Sequence, residues 1–563
     1  MKRSRDIVKI AGLYFRYKRA SQPVFENFRL EVAPGERLAI LAPSEAGKST
    51  LALCLIGLIP RMIKGEFHGR VEVDGCLTSD YWPRELASRV GVLFQDFEAQ
   101  LFSTRVDQEV AFGPENLGLP HPELRRRVER ALGLVGLAGL KKRDPATLSG
   151  GQKQLLALAA VLSLEPGLLV LDEPTTDLDP LRVEELLKTL DQLCQRECLT
   201  LVLLGEDLRL ARHCSRIVLF HQGQVLADGP PDQILRQVDT MRRLGLRPPA
   251  LPALFHDLGQ SPLPLTVEEA LVRARSLGWH LKRTAGEQSR ADSQSLNLGP
   301  EILSLREVSF SYPGGPLVLT NLSLSFKAGE LTAILGENGS GKTTLLKLLQ
   351  GLLQPQAGEV WRPPEVRAGF VFQNPDYQLF AEKVWEEVAQ GPKLLRLEAK
   401  EVEQRVAKAL SQVHLLDRAD EDPFSLTKGQ RQRLAVAAVL ALMPQVIILD
   451  EPTTGLDHRE QEDMLALIQD LHGQGHTIIM VTHSMWAASR YARRLIVLQA
   501  GLVVLDGPTR EVFADEECLA ACGLRSPELV QISRGLGFLA LTPEEFQRHI
   551  TPSEMQIFPY KSP

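Results

Sequence analysis

The chain has 563 residues, more than one hydrophobic core normally serves, so two or more domains are expected. With 44% apolar and 24% charged residues it has the composition of an ordinary globular protein, and a net charge of −6 gives no global attraction for nucleic acid. Seven scattered cysteines without metal-ligand spacing argue against a disulfide framework and fit a reduced compartment.

The N-terminal MKRSRDIVKIAGLYF is basic but has no long apolar stretch, so a secretory leader is not expected. The longest apolar run, Leu434 to Met443, falls well short of the ~20 residues that span a bilayer, so the chain is expected not to cross a membrane. The first candidate phosphate loop is Ala42-Pro43-Ser44-Glu45-Ala46-Gly47-Lys48-Ser49-Thr50. Its Gly-Lys-Ser end suits phosphate, because amides at a helix start face the anion and the lysine reaches its outer oxygens. Glu45 sits close to the phosphate path and would repel it, and would also be strained if the position needs φ > 0. A weak grip is expected there.

Further along, LLVLDE reads as a buried parallel strand with its acids at the C-terminal edge, where ligands sit. Asp172 suits a water-mediated Mg²⁺ contact, and Glu173 suits orienting an attacking water. The first domain is expected over 5–245 and a connector rich in Pro, Gly, Ser and Gln over 246–300, with VEEALVRARSLGW as a short helix. A second domain follows over 301–512. There ELTAIL is a short strand, followed by Gly336-Glu337-Asn338-Gly339-Ser340-Gly341-Lys342-Thr343-Thr344 and the helical LLKLLQGLL. Thr343 supplies a hydroxyl for Mg²⁺, and VIILDE ends in Asp450 and Glu451. The tail, 513–563, carries no recognisable chemistry. Cys518 and Cys522, within it, read as structural.

The two halves are copies. Lys48 and Lys342 are 294 apart, whereas Gln95 and Gln373, Ser149 and Thr427, and Asp172 and Asp450 are each 278 apart. Such rigid register marks a tandem duplication, with the second copy 16 residues shorter between its lysine and its glutamine.

These residues together resemble the nucleotide-binding domain of ABC transporters, over most of both halves. The resemblance implies an α/β fold of tandem P-loop NTPase domains, each with an antiparallel β subdomain, a RecA-like core and a helical signature subdomain. LSGGQKQ, with Ser149, Gly150, Gly151 and Gln152, looks like the family signature; LTKGQRQR carries Thr427, Lys428, Gly429 and Gln430 in its place. Gln95 and Gln373 match the glutamine that senses Mg²⁺ and water. Tyr17 and Tyr312 fall where the family stacks an aromatic on adenine, and the segments around Asp179 and Asp457 resemble its crossing loop. His483 matches the switch histidine that contacts the terminal phosphate, and Glu206 stands at that position in the first half.

Family members bind two nucleotides between head-to-tail domains, each phosphate loop facing the other domain's signature. That pairing implies one site built from Gly336 to Thr344, Gln373, Asp450, Glu451 and His483 with Ser149 to Gln152. The other combines Ala42 to Thr50, Gln95, Asp172, Glu173 and Glu206 with Thr427 to Gln430. Glu45, Glu206, Thr427 and Lys428 all fall in the second set, so one site is expected to hydrolyse ATP and the other to bind it and turn over slowly. One chain would then serve one transporter, its two domains pairing intramolecularly.

QNPDYQLF resembles the energy-coupling factor importer ATPases, which power uptake of vitamins, their precursors, cobalt or nickel. The resemblance implies ATP and Mg²⁺ as ligands, a membrane permease with a separate substrate-binding membrane subunit as partners, and a peripheral place on the cytoplasmic face of the cell membrane. Leu101, Phe102, Leu379 and Phe380 are candidate permease contacts, or core residues of the helical subdomain. Glu386 and Glu387 would answer a basic coupling helix or form a solvated face. Alternatives are a sugar-importer ATPase or a non-transport ABC ATPase acting on the ribosome or nucleic acid. The short connector and the negative net charge disfavour nucleic acid.

Overall fold

A computed structural model describes residues 6–175, 180–197, 199–279 and 299–550. Asp179, Cys198 and the segments 280–298 and 551–563 lie outside the described residues. The chain divides into two compact units, Met1–Ala253 and Leu254–Pro563.

The strands of the first unit are β1 (Val8–Tyr17), β2 (Phe25–Val32), β3 (Arg37–Leu41), β4 (Gly65–Val73), β5 (Cys76–Leu77), β6 (Val90–Leu93), β7 (Leu168–Asp172), β8 (Thr200–Gly205), β9 (Arg216–His221) and β10 (Gln224–Gly229). They form an antiparallel sheet, β2-β1-β4-β5, and a second sheet, β10-β9-β3-β8-β7-β6, parallel except for the β9–β10 pair. The second unit repeats this with β11 (Glu301–Ser311), β12 (Leu317–Lys327), β13 (Leu331–Leu335), β14 (Ala357–Trp361), β15 (Ala368–Val371), β16 (Val446–Asp450), β17 (Thr477–Val481), β18 (Arg494–Gln499) and β19 (Leu502–Pro508). Its sheets run β12-β11-β14 and β15-β16-β17-β13-β18-β19. The shortfall between the copies now has a location. The first unit inserts β5 and the helix Pro83–Leu86 between β4 and β6, where the second crosses from β14 to β15 directly.

Alternation along each parallel strand puts side chains into two separate cores. Val446 and Ile448 of β16 pack with Ile334, Leu345 and Leu346 under the antiparallel sheet. Ile447 and Leu449, from the same strand, pack with Val388, Val406 and Leu434 of the helices Val384–Leu394, Ala399–Gln412 and Lys428–Leu440. This explains why VIILD is apolar throughout: both of its faces are covered.

In the second unit the stretch that reads as connector and the tail pack on each other. The helices Val267–Ser276 and Glu528–Gly535 meet where a Cβ on Gly535 would come within 2.5 Å of Leu271. The rings of Phe255 and Trp279 lie 4.9 Å apart, and Trp279 packs edge-on at 6.1 Å against Phe546 of the helix Pro543–His549. Phe255 and Phe546 are fully buried.

Candidate functional site

In each unit a loop leaves the central strand of the parallel sheet and opens a helix, Lys48–Leu55 after β3 and Lys342–Gln350 after β13. Gly47 and Gly341 precede these helices at φ 100° and 101°, and a Cβ on either would clash with Val24 or Leu319. Only glycine serves there. In the second unit Gly336 and Gly339 are also left-handed, and a Cβ on Gly336 would lie 2.2 Å from the Leu498 carbonyl oxygen. In the first, Glu45 stands at the position of Gly339 with φ 62°, the strained backbone that the sequence reading made conditional. Its side chain is exposed.

Lys342 curls over its own loop, donating to the carbonyls of Gly336 (2.9 Å) and Glu337 (2.7 Å). Lys48 does the same with Ala42 (2.6 Å) and Pro43 (3.1 Å). Ser49 and Thr343 follow these lysines, and the next residue anchors the predicted adenine platform. Tyr17 Oη lies 3.0 Å from Thr50 Oγ1, and Tyr312 Oη lies 3.2 Å from Thr344 Oγ1. Asn338 and Ser340 lie in the second loop, where the Ser340 hydroxyl is buried and has no hydrogen-bond partner among the described residues.

In each sheet the acids come from the strand one place beyond the loop strand's neighbour. Asp172 and Asp450 end β7 and β16, and both are buried. Burial pushes each carboxyl up to about 6; the facing hydroxyls of Ser49 and Thr343, with the loop lysines, oppose this only in part. Among the described residues both carboxylate oxygens of Asp172, and Oδ1 of Asp450, lack a hydrogen-bond partner. Buried anionic oxygens without partners, facing a hydroxyl and close to the phosphate loop, are a donor set that fits Mg²⁺. Gln95 and Gln373 follow β6 and β15 and are exposed beside these acids' strands.

Here the two units part company. Glu173 and Glu451 each adopt φ 50°, a conformation uncommon outside glycine. Glu451 Oε1 lies 2.5 Å from His483 Nε2, while its Oε2 accepts from Thr454 Oγ1 at 2.8 Å. Burial raises the Glu451 carboxyl, but His483, Thr454 and Lys342 together outweigh burial and hold it below the usual range. In the first unit no histidine is offered at that position. Glu173 Oε1 instead pairs with Lys48 Nζ at 2.9 Å, and Glu206 Oε1 reaches the same nitrogen at 3.4 Å. The first loop's lysine is thus bracketed by two carboxylates.

The signature segments also differ. Ser149 caps the helix Gly150–Leu162 in a box with Gln152, over a buried Gly151. Thr427 caps Lys428–Leu440 in the same way with Gln430, but its hydroxyl also donates to Glu460 at 2.9 Å. A Cβ on Gly429 would lie 2.5 Å from the Glu460 carboxyl. Sequence reasoning missed Thr454, Glu460 and the Lys48 clamp, since no local pattern marks them. Glu387, weighed as a surface charge, is buried and accepts the amides of Phe380 and Ala381, both at 2.7 Å. Leu379 is buried in the helical subdomain core, whereas Phe102 and Phe380 are 60% and 73% exposed.

The family described as ABC transporter matches residues 25–176 and 319–454, one stretch in each unit. The chain belongs to the ABC transporter family. An ABC transporter ATP-binding protein of Caldanaerobacter subterraneus subsp. tengcongensis is 42% identical over 95% of this chain and 97% of that protein. Another, from Methanosarcina acetivorans, is 36% identical over 98% of this chain and 93% of its own length. A solved chain, cbiO1 from Clostridium perfringens, described as part of the ABC transporter complex cbiONQ, is 34% identical with a TM-score of 0.37, covering 40% of this chain and 96% of that one. The protein is therefore a tandem ABC-type ATPase that binds and hydrolyses ATP. No helix among the described residues is long and apolar enough to cross a membrane.

Proposed function

We propose that this ABC transporter ATPase drives import of a small substrate, a vitamin, a vitamin precursor or a transition-metal ion, through separate membrane subunits at the cytoplasmic face of the cell membrane. The units pair within one chain, so that Ser149 to Gln152 of the first close on the nucleotide held by the second. The observation that carries the asymmetry is the partner of each glutamate: His483 for Glu451, Lys48 for Glu173.

In the second unit's site ATP stacks its adenine on Tyr312. The amides of Gly339, Ser340 and Gly341 and the start of the Lys342–Gln350 helix face its phosphates. Lys342 and Ser149 hold the terminal phosphate. Thr343, Gln373 and, through water, Asp450 would hold Mg²⁺, which would supply positive charge to the phosphate oxygens. Glu451, kept ionised by His483 and Thr454, orients the water that attacks the terminal phosphorus, releasing ADP and phosphate. His483 Nε2, at 2.5 Å from the glutamate, fixes its direction, and the family likeness sets the ring against the terminal phosphate. In the first unit Tyr17, Gly47, Lys48, Ser49 and Thr50 retain a nucleotide grip, with Gln95 and Asp172 as the cation side. Glu173 is engaged by Lys48, so turnover there is slow.

The QNPDYQLF likeness supports an energy-coupling permease as partner, and the exposed Phe102, Tyr377 and Phe380 supply apolar surface for it. The test of asymmetry is steady-state hydrolysis by the full chain. Glu451→Gln is expected to lose about a hundredfold or more, the scale of a general base. Glu173→Gln is expected to keep most of the rate. Equal losses from both would reject a single active site.

A further inference from the structure

We propose that the first unit's loop is a nucleoside diphosphate site, and that Glu206 makes it one by holding Lys48. The inference rests on the reading that this site turns over slowly and names the nucleotide that occupies it.

Lys48 Nζ has three protons and four acceptors around it: the carbonyls of Ala42 (2.6 Å) and Pro43 (3.1 Å), Glu173 (2.9 Å) and Glu206 (3.4 Å). The ammonium is 92% buried by side chain, and Glu173 and Glu206 are 82% and 80% buried, so the cluster is largely screened from water. Where a terminal phosphate would seek positive charge, the cluster of one lysine and two carboxylates carries a net −1. The second unit's counterpart, Lys342 with Glu451 and His483, is neutral, or positive when the imidazole is protonated. A third phosphate adds negative charge beside Glu206 and Glu173 and must also draw Lys48 away from them. In a shielded site that repulsion is much stronger than in bulk water. A diphosphate avoids it. Its outer phosphate is served by the amides at the start of the Lys48–Leu55 helix. The adenine platform is intact, since Tyr17 remains anchored to Thr50. What the first unit keeps is therefore the part of the site common to both nucleotides, and what it loses is the part that reads the third phosphate.

The test labels the full chain in magnesium buffer with 8-azido-ADP and reads each site separately, by mass, from the peptides around Tyr17 and Tyr312. Label is then competed with ADP or with the slowly hydrolysed ATPγS. Label at Tyr17 is expected to yield to ADP at concentrations roughly tenfold or more below ATPγS, a floor set by what one charge contact keeps even in bulk water. Glu206→Gln should tighten ATPγS about tenfold at Tyr17 while leaving ADP within twofold, and Glu206→His should do the same. Label at Tyr312 should not change in either variant, which also reports that the chain is folded. Equal competition by the two nucleotides in the wild-type chain overturns the proposal, as does a Glu206→Gln shift that moves both alike. Absence of label at Tyr17 with label retained at Tyr312 overturns it too. A failure of the slow-turnover reading is distinguishable, because it appears as lost hydrolysis in Glu173→Gln whatever the ADP preference.

Discussion

Asp450 and Asp172 are carboxylates whose burial is repaid only in part by the facing hydroxyls and lysines, and this gives a stability signature. Each carboxyl is raised from its ordinary 3.8 to about 6. A raised carboxyl means that the folded state holds the proton more tightly than the unfolded chain. The penalty is absent below pH 3.8, grows as pH rises towards 6 and is complete above it. Asp450→Asn is therefore expected to stabilise the nucleotide-free chain at pH 8 by about 1–3 kcal/mol, seen as a higher melting temperature, and to have no effect near pH 4. Mg²⁺ should stabilise the wild-type chain at pH 8 and the variant less; calorimetry at the two pH values reads both. At the same scale, Glu206 and Glu173 show that a glutamate's role follows from its partner. Two acids beside one lysine hold that lysine, whereas an acid beside a histidine is held ionised and directed.

The signature helices show how one element is reused for unlike ends. Both begin with a hydroxyl cap and a reciprocal glutamine, which satisfy backbone amides that the first turn leaves unpaired. Ser149→Ala and Thr427→Ala should each destabilise their unit by about 1 kcal/mol. Their effects on turnover should diverge: Ser149→Ala is expected to slow ATP hydrolysis severely, and Thr427→Ala, whose hydroxyl is already spent on Glu460, to change it little. Denaturant melts paired with steady-state rates separate the two outcomes. The β16 strand has a structural counterpart prediction. Ile448 is fully buried between the antiparallel sheet and the Lys342–Gln350 helix, so Ile448→Ala should cost about 2–5 kcal/mol and disturb Asp450 two residues on.

At the scale of the molecule, the duplicated units differ in what they carry beyond the shared fold. The second has an added helical body, with Phe255, Trp279, Phe538 and Phe546 brought together from its two ends. Phe546→Ala is expected to destabilise this unit by about 3–5 kcal/mol while leaving nucleotide labelling at Tyr17 unchanged. The permease reading is checked by affinity capture of the tagged chain from gently solubilised membranes. A small membrane subunit should co-purify; ribosomal proteins or nucleic acid in its place would reject transport. By itself the sequence determined the duplication, both phosphate loops, the acids at the strand ends and the replacement of a histidine by Glu206. Each of these is a short run whose backbone geometry demands particular residue types at adjacent positions, so the pattern can be read locally. Only the tertiary structure decided that Glu206 grips Lys48, 158 residues away, that Glu460 ties Thr427, and that the two ends of the second unit share an aromatic core. Those contacts depend on where strands and helices bring distant side chains together, and no local spacing records a meeting between residues so far apart in the chain.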